Sequence, residues 1–150
     1  PLPLEIGKAE VLRSGSVTSI WAIGDFVHTA LSIADVFKKK YGLEISVVNA
    51  RFIKPLDKET LFEYANNHQS IITLEDNVLM GGFGSSILEA LEEKSISIDV
   101  KRFGWPDQFI EHGNSVNELR AKFGLDRESL TQSIEEFLSL EDQVATPIFA

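Results

Sequence analysis

The segment SIITLEDNVLMGGFGSSILEAL, residues 70–91, contains the pattern that decides the fold. It begins with an apolar run of strand length, passes through a glycine-rich turn, and ends in a stretch whose apolar residues recur with helical spacing. A nearly continuous apolar strand is typical of a sheet that is covered on both faces. A strand followed through a short loop by a helix therefore indicates an α/β domain.

The same alternation of strand and helix extends on both sides of this segment. Further strands are predicted at residues 17–23, 44–50 and 96–104, and helices are predicted to begin after Asp25, Asp57, Ser115 and Asp126. Glu118 stands where it completes a capping box with Ser115. Repeated strand–helix units predict a mostly parallel sheet with helices on both faces.

An additional strand is predicted at residues 9–13, AEVLR, close to the start of the chain. Only the tripeptide SGS separates it from the strand that begins at Val17. A parallel connection needs a crossover of a dozen or more residues, so this first strand must run antiparallel to its successor.

The apolar spacing within each helix predicts which residues face the core. These are Val27, Ala30, Leu31, Ala34, Phe37 and Tyr41 in the first helix; Leu61, Phe62 and Ala65 in the second; Ile87, Leu88 and Leu91 in the third; Val116, Leu119 and Phe123 in the fourth; and Leu130, Ile134, Phe137 and Leu138 in the fifth.

The composition of the chain argues against several classes of partner, and its periodicity predicts where the domain ends. The chain has 150 residues, a net charge of -9 and no cysteine, which argues against nucleic acid, an anionic membrane surface, disulfides and thiolate metal sites. No apolar run approaches the length of a membrane span. We predict one domain over residues 1–140 and a loose tail over residues 141–150, where no periodicity is present.

The glycine-rich turn, Gly81, Gly82, Gly84, Ser85 and Ser86, is the first candidate site. It precedes a helix, where free backbone N–H groups and the helix dipole favour an anion. A phosphate-binding loop of the Walker type has a lysine directly after its glycines, and this turn has none. The alternative is structural, because glycine allows a tight turn and close approach of the helix to a neighbour.

Other candidates lie where the strands end, which is the edge that binds ligands in open parallel sheets. Arg51 can bind an anion or pair with an acid, and Phe109 and His112 belong to the loop WPDQFIEHG.

Glu75 and Asp76 are adjacent and point to opposite sides of the strand. A helix cap or a salt bridge is therefore favoured over acid–base catalysis by both carboxylates on one bond. No histidine pair has metal-ligand spacing, and His68 is expected in a polar loop. The residues alone predict no catalytic or metal site.

Three segments carry a resemblance to a known family: VVNARFIKPLD, EDNVLMGGFGSSILEAL and PDQFIEHGNSVNELRAKFGLDRESL. They resemble the C-terminal domain of transketolase-type, thiamine-diphosphate-dependent enzymes over roughly residues 5–140. The last segment, with PDQFIEHG and GLD, is similar to the 1-deoxy-D-xylulose-5-phosphate synthase branch of that family in particular.

The resemblance implies a three-layer α/β/α domain with a five-stranded mostly parallel sheet and an antiparallel first strand. It also implies a cytoplasmic, homodimeric parent enzyme that condenses pyruvate with glyceraldehyde 3-phosphate, with loss of carbon dioxide, for isoprenoid and thiamine synthesis. The N-terminal and central domains of such enzymes bind thiamine diphosphate and magnesium and supply the catalytic residues. No catalytic or cofactor residue of the family maps onto this chain, so the chain alone is expected to be inactive.

Two alternatives stay open beside a structural and dimerising role. One is the C-terminal domain of a 2-oxo-acid dehydrogenase beta subunit, which docks an acyltransferase; the ending PDQFIEHG with GLD argues against it. The other is a stand-alone module that senses an anion at the glycine-rich turn, and that hypothesis is weakened because the family handles its phosphates in other domains.

Overall fold

The computed structural model describes residues 3–111 and 115–140. The chain divides into two compact units, Pro1–Ile110 and Glu111–Ala150. His112 and the predicted tail at residues 141–150 lie outside the described residues. The proposed boundary between a domain and a loose tail therefore stays a prediction.

The first unit contains a five-stranded mixed sheet in the order β1-β3-β2-β4-β5. The strands are β1 Glu10–Arg13, β2 Thr18–Ala22, β3 Ser46–Asn49, β4 Ser70–Val78 and β5 Asp99–Trp105. Strand β1 pairs antiparallel with β3, and the remaining neighbours are parallel. The antiparallel first strand predicted from the short SGS connection is confirmed. It lies at the edge of the sheet and pairs with β3, two strands further along the chain.

Three helices of this unit cover the two faces of the sheet: α1 Phe26–Tyr41, α2 Lys58–Asn67 and α3 Phe83–Glu93. Trp21, Val48 and Ile71 share one core with buried residues of α2 and α3. Because side chains alternate along a strand, the neighbouring Ile20 and Val47 face the opposite side, where α1 packs against β2, β3 and β4. The predicted three-layer α/β/α fold is confirmed.

The second unit contains two short helices, α4 Val116–Lys122 and α5 Arg127–Phe137. Ser115 and Glu118 form the predicted capping box, with mutual backbone–side-chain hydrogen bonds. The Asp126 side chain accepts the backbone N–H of Ser129 and thereby caps α5. Leu130 and Ile134 are fully buried, as the helical spacing predicts.

Several predictions about individual residues are wrong. Leu88 is 39% exposed and Val116 is 57% exposed, and α4 buries no residue. The helix predicted after Asp25 does begin at Phe26, but Asp25 forms no side-chain capping hydrogen bond, because its own backbone is already helical. In the same helix Ile33 is buried, although it was not predicted to face the core, and Leu31 is only partly buried. The buried face is therefore rotated slightly from the predicted one.

No helix among the described residues is long and apolar enough to span a lipid bilayer.

Candidate functional site

The glycine-rich turn meets a buried carboxylate from the preceding strand. Glu75 lies near the carboxyl end of β4 and is completely buried. Its Oε2 accepts the backbone N–H of Phe83 at 2.6 Å, and its Oε1 accepts the N–H of Gly84 at 2.8 Å. Phe83 and Gly84 begin α3, so Glu75 satisfies two of the N–H groups that a helix leaves open at its N-terminus.

Glycines allow the helix and the sheet to approach each other around this carboxylate: Gly82 and Gly104 face Glu75, and Gly84 faces Thr73. A Cβ on Gly82 would lie 2.2 Å from Glu75 Oε2 and 2.4 Å from the carbonyl oxygen of Val78. A Cβ on Gly104, in β5, would lie 2.9 Å from Glu75 Cγ. A Cβ on Gly84 would lie 2.7 Å from Thr73 Oγ1. Real Cβ atoms do not come so close, so these positions accept only glycine without a shift of their neighbours.

The rest of the turn is held by Ser85 and Arg102. Ser85 Oγ accepts the N–H of Gly81 at 3.1 Å and donates to the carbonyl oxygen of Leu79 at 3.0 Å. The guanidinium of Arg102 donates to Ser85 Oγ at 3.1 Å and to the same Leu79 oxygen at 3.3 Å. Gly81 itself has a φ of +70°, a left-handed conformation that favours glycine. Gly81, Ser85 and Arg102 thus hold the turn from within the chain.

An external anion at this helix would need the N–H groups that Glu75 already engages. The helix dipole and the two N–H groups favour negative charge at this point, and the carboxylate of the chain itself provides it. This geometry supports the structural interpretation of Gly81, Gly82 and Gly84. Ser86 adds only a long hydrogen bond of 3.5 Å to the carbonyl oxygen of Gly82, within the first turn of α3.

Arg51 lies at the same edge of the sheet, directly after β3 and Ala50. Its guanidinium forms an ion pair with Glu10 of the edge strand β1 at 2.5 Å, and its backbone N–H donates to Asn49 Oδ1 at 3.1 Å. The φ of Arg51 is +57°, which is unusual for a side chain with a Cβ. The observed partner is an acid within the chain, the alternative that the sequence favours.

The remaining candidates of this edge differ in exposure. Asp76 points away from Glu75, and its Oδ1 accepts the indole N–H of Trp105 at 2.7 Å. Phe109 is fully exposed, at 103% of its reference accessibility. His112 lies outside the described residues, so its role as a candidate stays a prediction.

A second buried carboxylate, Asp57, caps α2 in the predicted manner. Its Oδ1 accepts the N–H of Thr60 at 3.1 Å, while Oδ2 accepts the Thr60 hydroxyl at 2.9 Å and the N–H of Ala9 at 3.0 Å. Burial acts to raise the pKa of Asp57, but these hydrogen bonds and nearby Lys8 outweigh it and hold the pKa below its ordinary value.

A polar cluster that no sequence pattern predicts lies at the amino end of the sheet. Ser46 Oγ lies 3.0 Å from His68 Nε2, and His68 Nδ1 lies 3.0 Å from the carbonyl oxygen of Tyr64. The rings of Tyr64 and His68 stack at 4.8 Å, so His68 is not in an open polar loop. Burial and Glu63 raise the pKa of Tyr64. Although a serine beside a histidine can act as a nucleophile, Ser46 is fully buried and no substrate can reach it. We therefore assign the cluster a structural role.

The described residues show no cluster of metal ligands and no open helix N-terminus after β4. They contain no group of three or more His, Asp or Glu side chains that could hold a metal ion. The helix N-terminus that follows β4 is already engaged by Glu75.

The sheet order, the antiparallel edge strand and the glycine turn together define a known class of domain. The family model for the transketolase C-terminal domain matches residues 7–130. The chain belongs to this family.

Individual relatives narrow the comparison. The chain is 44% identical over 131 residues to 1-deoxy-D-xylulose-5-phosphate synthase of Microcystis aeruginosa. The alignment covers 87% of this chain and 20% of the relative. It is 44% identical over 141 residues to the enzyme of the same name from Syntrophus aciditrophicus. That alignment covers 93% of this chain and 21% of the relative. The chain thus spans about one fifth of the length of these curated relatives.

A solved structure shares the fold as well. The chain "Split gene transketolase, inactive beta4 tetramer" superposes with a TM-score of 0.80 at 30% identity, covering 93% of this chain and 44% of that one.

Proposed function

We propose that this chain is the C-terminal structural and dimerising domain of a 1-deoxy-D-xylulose-5-phosphate synthase. The observation that carries the proposal is the pattern of coverage: the synthases match nearly all of this chain, yet the chain matches only about one fifth of them. A domain of that kind contributes to an active protein without holding the active site.

The reaction of the parent is the condensation of pyruvate with glyceraldehyde 3-phosphate, with loss of carbon dioxide. In this proposal its N-terminal and central domains bind thiamine diphosphate and magnesium. No chemical step is assigned to a residue of this chain. Two of its buried carboxylates, Glu75 and Asp57, hold helices in place.

The isolated chain is therefore inactive in this proposal. The structural neighbour, a split gene transketolase described as an inactive beta4 tetramer, supports that inference. The proposed partners are the N-terminal and central domains and a second copy of the parent, in the cytoplasm.

The proposal is tested by the native polypeptide in its source cells. An antibody against this domain should capture a band several times larger than the 16.7 kDa of the chain. The captured protein should form 1-deoxyxylulose 5-phosphate when supplied with both substrates, thiamine diphosphate and magnesium. A band near 16.7 kDa, or a larger protein without this activity, would contradict it.

A further inference from the structure

An open groove of about 680 Å³ lies between α3 and the start of β5, and it is called the α3–β5 groove below. Its apolar lining comes from Leu88 and Leu91 of α3, from Ile96 and Ile98 before β5, and from Val100 within that strand. The last three alternate along the chain and pack against the core that α2 and α3 share. A groove of this size and lining is in the range of binding sites.

Strand β5 borders the groove and forms one edge of the sheet. Among the described strands its only neighbour is β4, and the pairing is regular from Asp99 to Phe103. Alternate backbone N–H and C=O groups of such a strand point away from the sheet. The opposite edge strand, β1, is irregular between Val11 and Arg13, and irregularities of this kind discourage the addition of a further strand. Of the two edges, β5 is therefore better suited to accept one.

The charged side chains that line the groove are both acidic. They are Glu89 and Glu92, and both are exposed. The basic side chains nearby turn elsewhere: Lys94 and Lys101 each place Nζ 5.8 Å from the centre of an aromatic ring outside the groove, and Arg102 donates to the glycine turn. The groove therefore favours a partner that is apolar and positively charged.

We infer that the α3–β5 groove binds an extended basic segment of another protein, which adds to β5 as a further strand. Main-chain hydrogen bonds to a sheet edge provide affinity in this mode of recognition, and side chains that enter a groove provide specificity. Apolar side chains of the segment would lie against Leu88 and Ile98, and its lysine or arginine side chains would meet Glu89 and Glu92. A second copy of this chain suits the groove less well, because its net charge is -9.

The probe is a short synthetic peptide, blocked at both ends, in which valine alternates with threonine and a lysine stands near each end. Its binding to the 150-residue chain is followed by calorimetry and by NMR. We expect saturable binding below about 1 mM peptide, with the largest amide shifts at residues 96–100. Methylation of the peptide nitrogens that face β5 removes hydrogen-bond donors without a change of charge and should weaken binding at least about ten-fold.

A matched pair of charge reversals separates the groove from general attraction to an acidic chain. Glu92→Lys should weaken peptide binding at least about five-fold, whereas Glu63→Lys, at an exposed acid of α2 outside the groove, should weaken it less than about two-fold. Both variants change the net charge equally and alter an exposed side chain. Equal weakening would mean that the peptide responds only to net charge and would overturn the inference.

Three further results would also overturn it. Absence of saturable binding would refute the site, and equally tight binding of the N-methylated peptide would refute strand addition. Binding that weakens as the concentration of the chain rises would identify a second copy as the occupant. The complete synthase proposed above should bind the peptide as tightly as the chain does. Loss of binding in that protein alone would mean that the parent fills the groove itself, and the inference of a separate partner would be wrong.

Discussion

The N-termini of α2 and α3 both meet a buried carboxylate, but the two acids come from different distances along the chain. Asp57 directly precedes α2 and accepts the N–H of Thr60, three residues later. Glu75 lies in the preceding strand and accepts the N–H of Phe83, eight residues later. Both carboxylates accept backbone N–H groups at the start of a helix, yet only Glu75 requires glycines at neighbouring positions.

The difference shows what a remote cap requires. A cap from the adjacent residue reaches the helix within one turn, so its neighbours are free to carry side chains. A cap from a strand brings the strand and the helix end into direct contact, and Gly82, Gly84 and Gly104 provide the space. The glycines therefore serve the contact with Glu75, although the same sequence pattern is also typical of phosphate-binding loops.

The largest effect is expected at Glu75. Glu75→Ala leaves two backbone N–H groups buried without an acceptor and should lower the free energy of unfolding by about 3 kcal/mol or more. Urea denaturation measures this loss, and Glu89→Ala, at an exposed acid of α3, should change the stability by less than about 0.5 kcal/mol. Equal stability of the two variants would mean that Glu75 is not needed as a cap.

A smaller but specific effect is expected at the glycines. Gly82→Ala places a methyl group against Glu75 and the Val78 carbonyl and should cost about 3 kcal/mol. Gly81→Ala meets no atom within 4 Å and should cost only about 1–2 kcal/mol, for the left-handed backbone. A double-mutant cycle should show that Gly82→Ala costs less when Glu75 is already alanine. Additive losses would argue against contact between the two positions.

The local cap should matter less. Asp57→Ala removes the acceptor for Thr60 and Ala9 and should cost about 1–2 kcal/mol in urea denaturation, with Glu59→Ala as the exposed control in the same helix. A loss larger than that of Glu75→Ala would reverse the proposed ranking of the two caps.

Acid should remove the contribution of Asp57. Its pKa is lower in the folded protein than its ordinary value of 3.8, so its stabilisation is present above 3.8 and is lost as the pH falls through the lower, folded value. Asp57→Asn should therefore show a weaker loss of stability than the wild type over that acid range. Identical pH profiles of the two proteins would refute this role.

The smallest effect is expected at the capping box of α4. Ser115→Ala should cost about 0.5–1 kcal/mol and should speed hydrogen exchange at the first backbone amides of that helix. The change should be confined to the second unit, and Asn117→Ala, at an exposed position of the same helix, is the control. Unchanged exchange at these amides would contradict a capping role.

Local patterns predicted most of the fold. The strands, the caps at Asp57, Ser115 and Asp126, and the antiparallel first strand all depend on residues close together in sequence. Errors arose where tertiary packing decides: Leu88 and Val116 fit a helical stripe but lie exposed. The elements packed against a short helix do not cover all of its apolar residues. Spacing alone does not show which of these residues stay exposed to solvent.

The sequence left two alternatives for the glycine turn, an anion site or a structural role, because its geometry depends on residues that are distant in sequence. Glu75 and the glycines are all visible in the sequence, but the hydrogen bonds that join them depend on how strand and helix meet. The same holds for Arg51, whose partner Glu10 lies on the neighbouring edge strand β1 but is distant in sequence. The cluster of Ser46, Tyr64 and His68 joins two elements with no recognisable motif and gave no sequence signal.

The most direct test of the account is whether phosphate reaches the N-terminus of α3 in the wild-type chain. Amide resonances of Phe83 and Gly84 are followed by NMR during a titration with millimolar inorganic phosphate. These resonances should not move beyond the small, non-saturating shifts of exposed amides, because the Glu75 carboxylate already engages both N–H groups. A saturable shift of these two resonances would show that an external anion displaces Glu75 and would contradict the structural role assigned to the glycine turn.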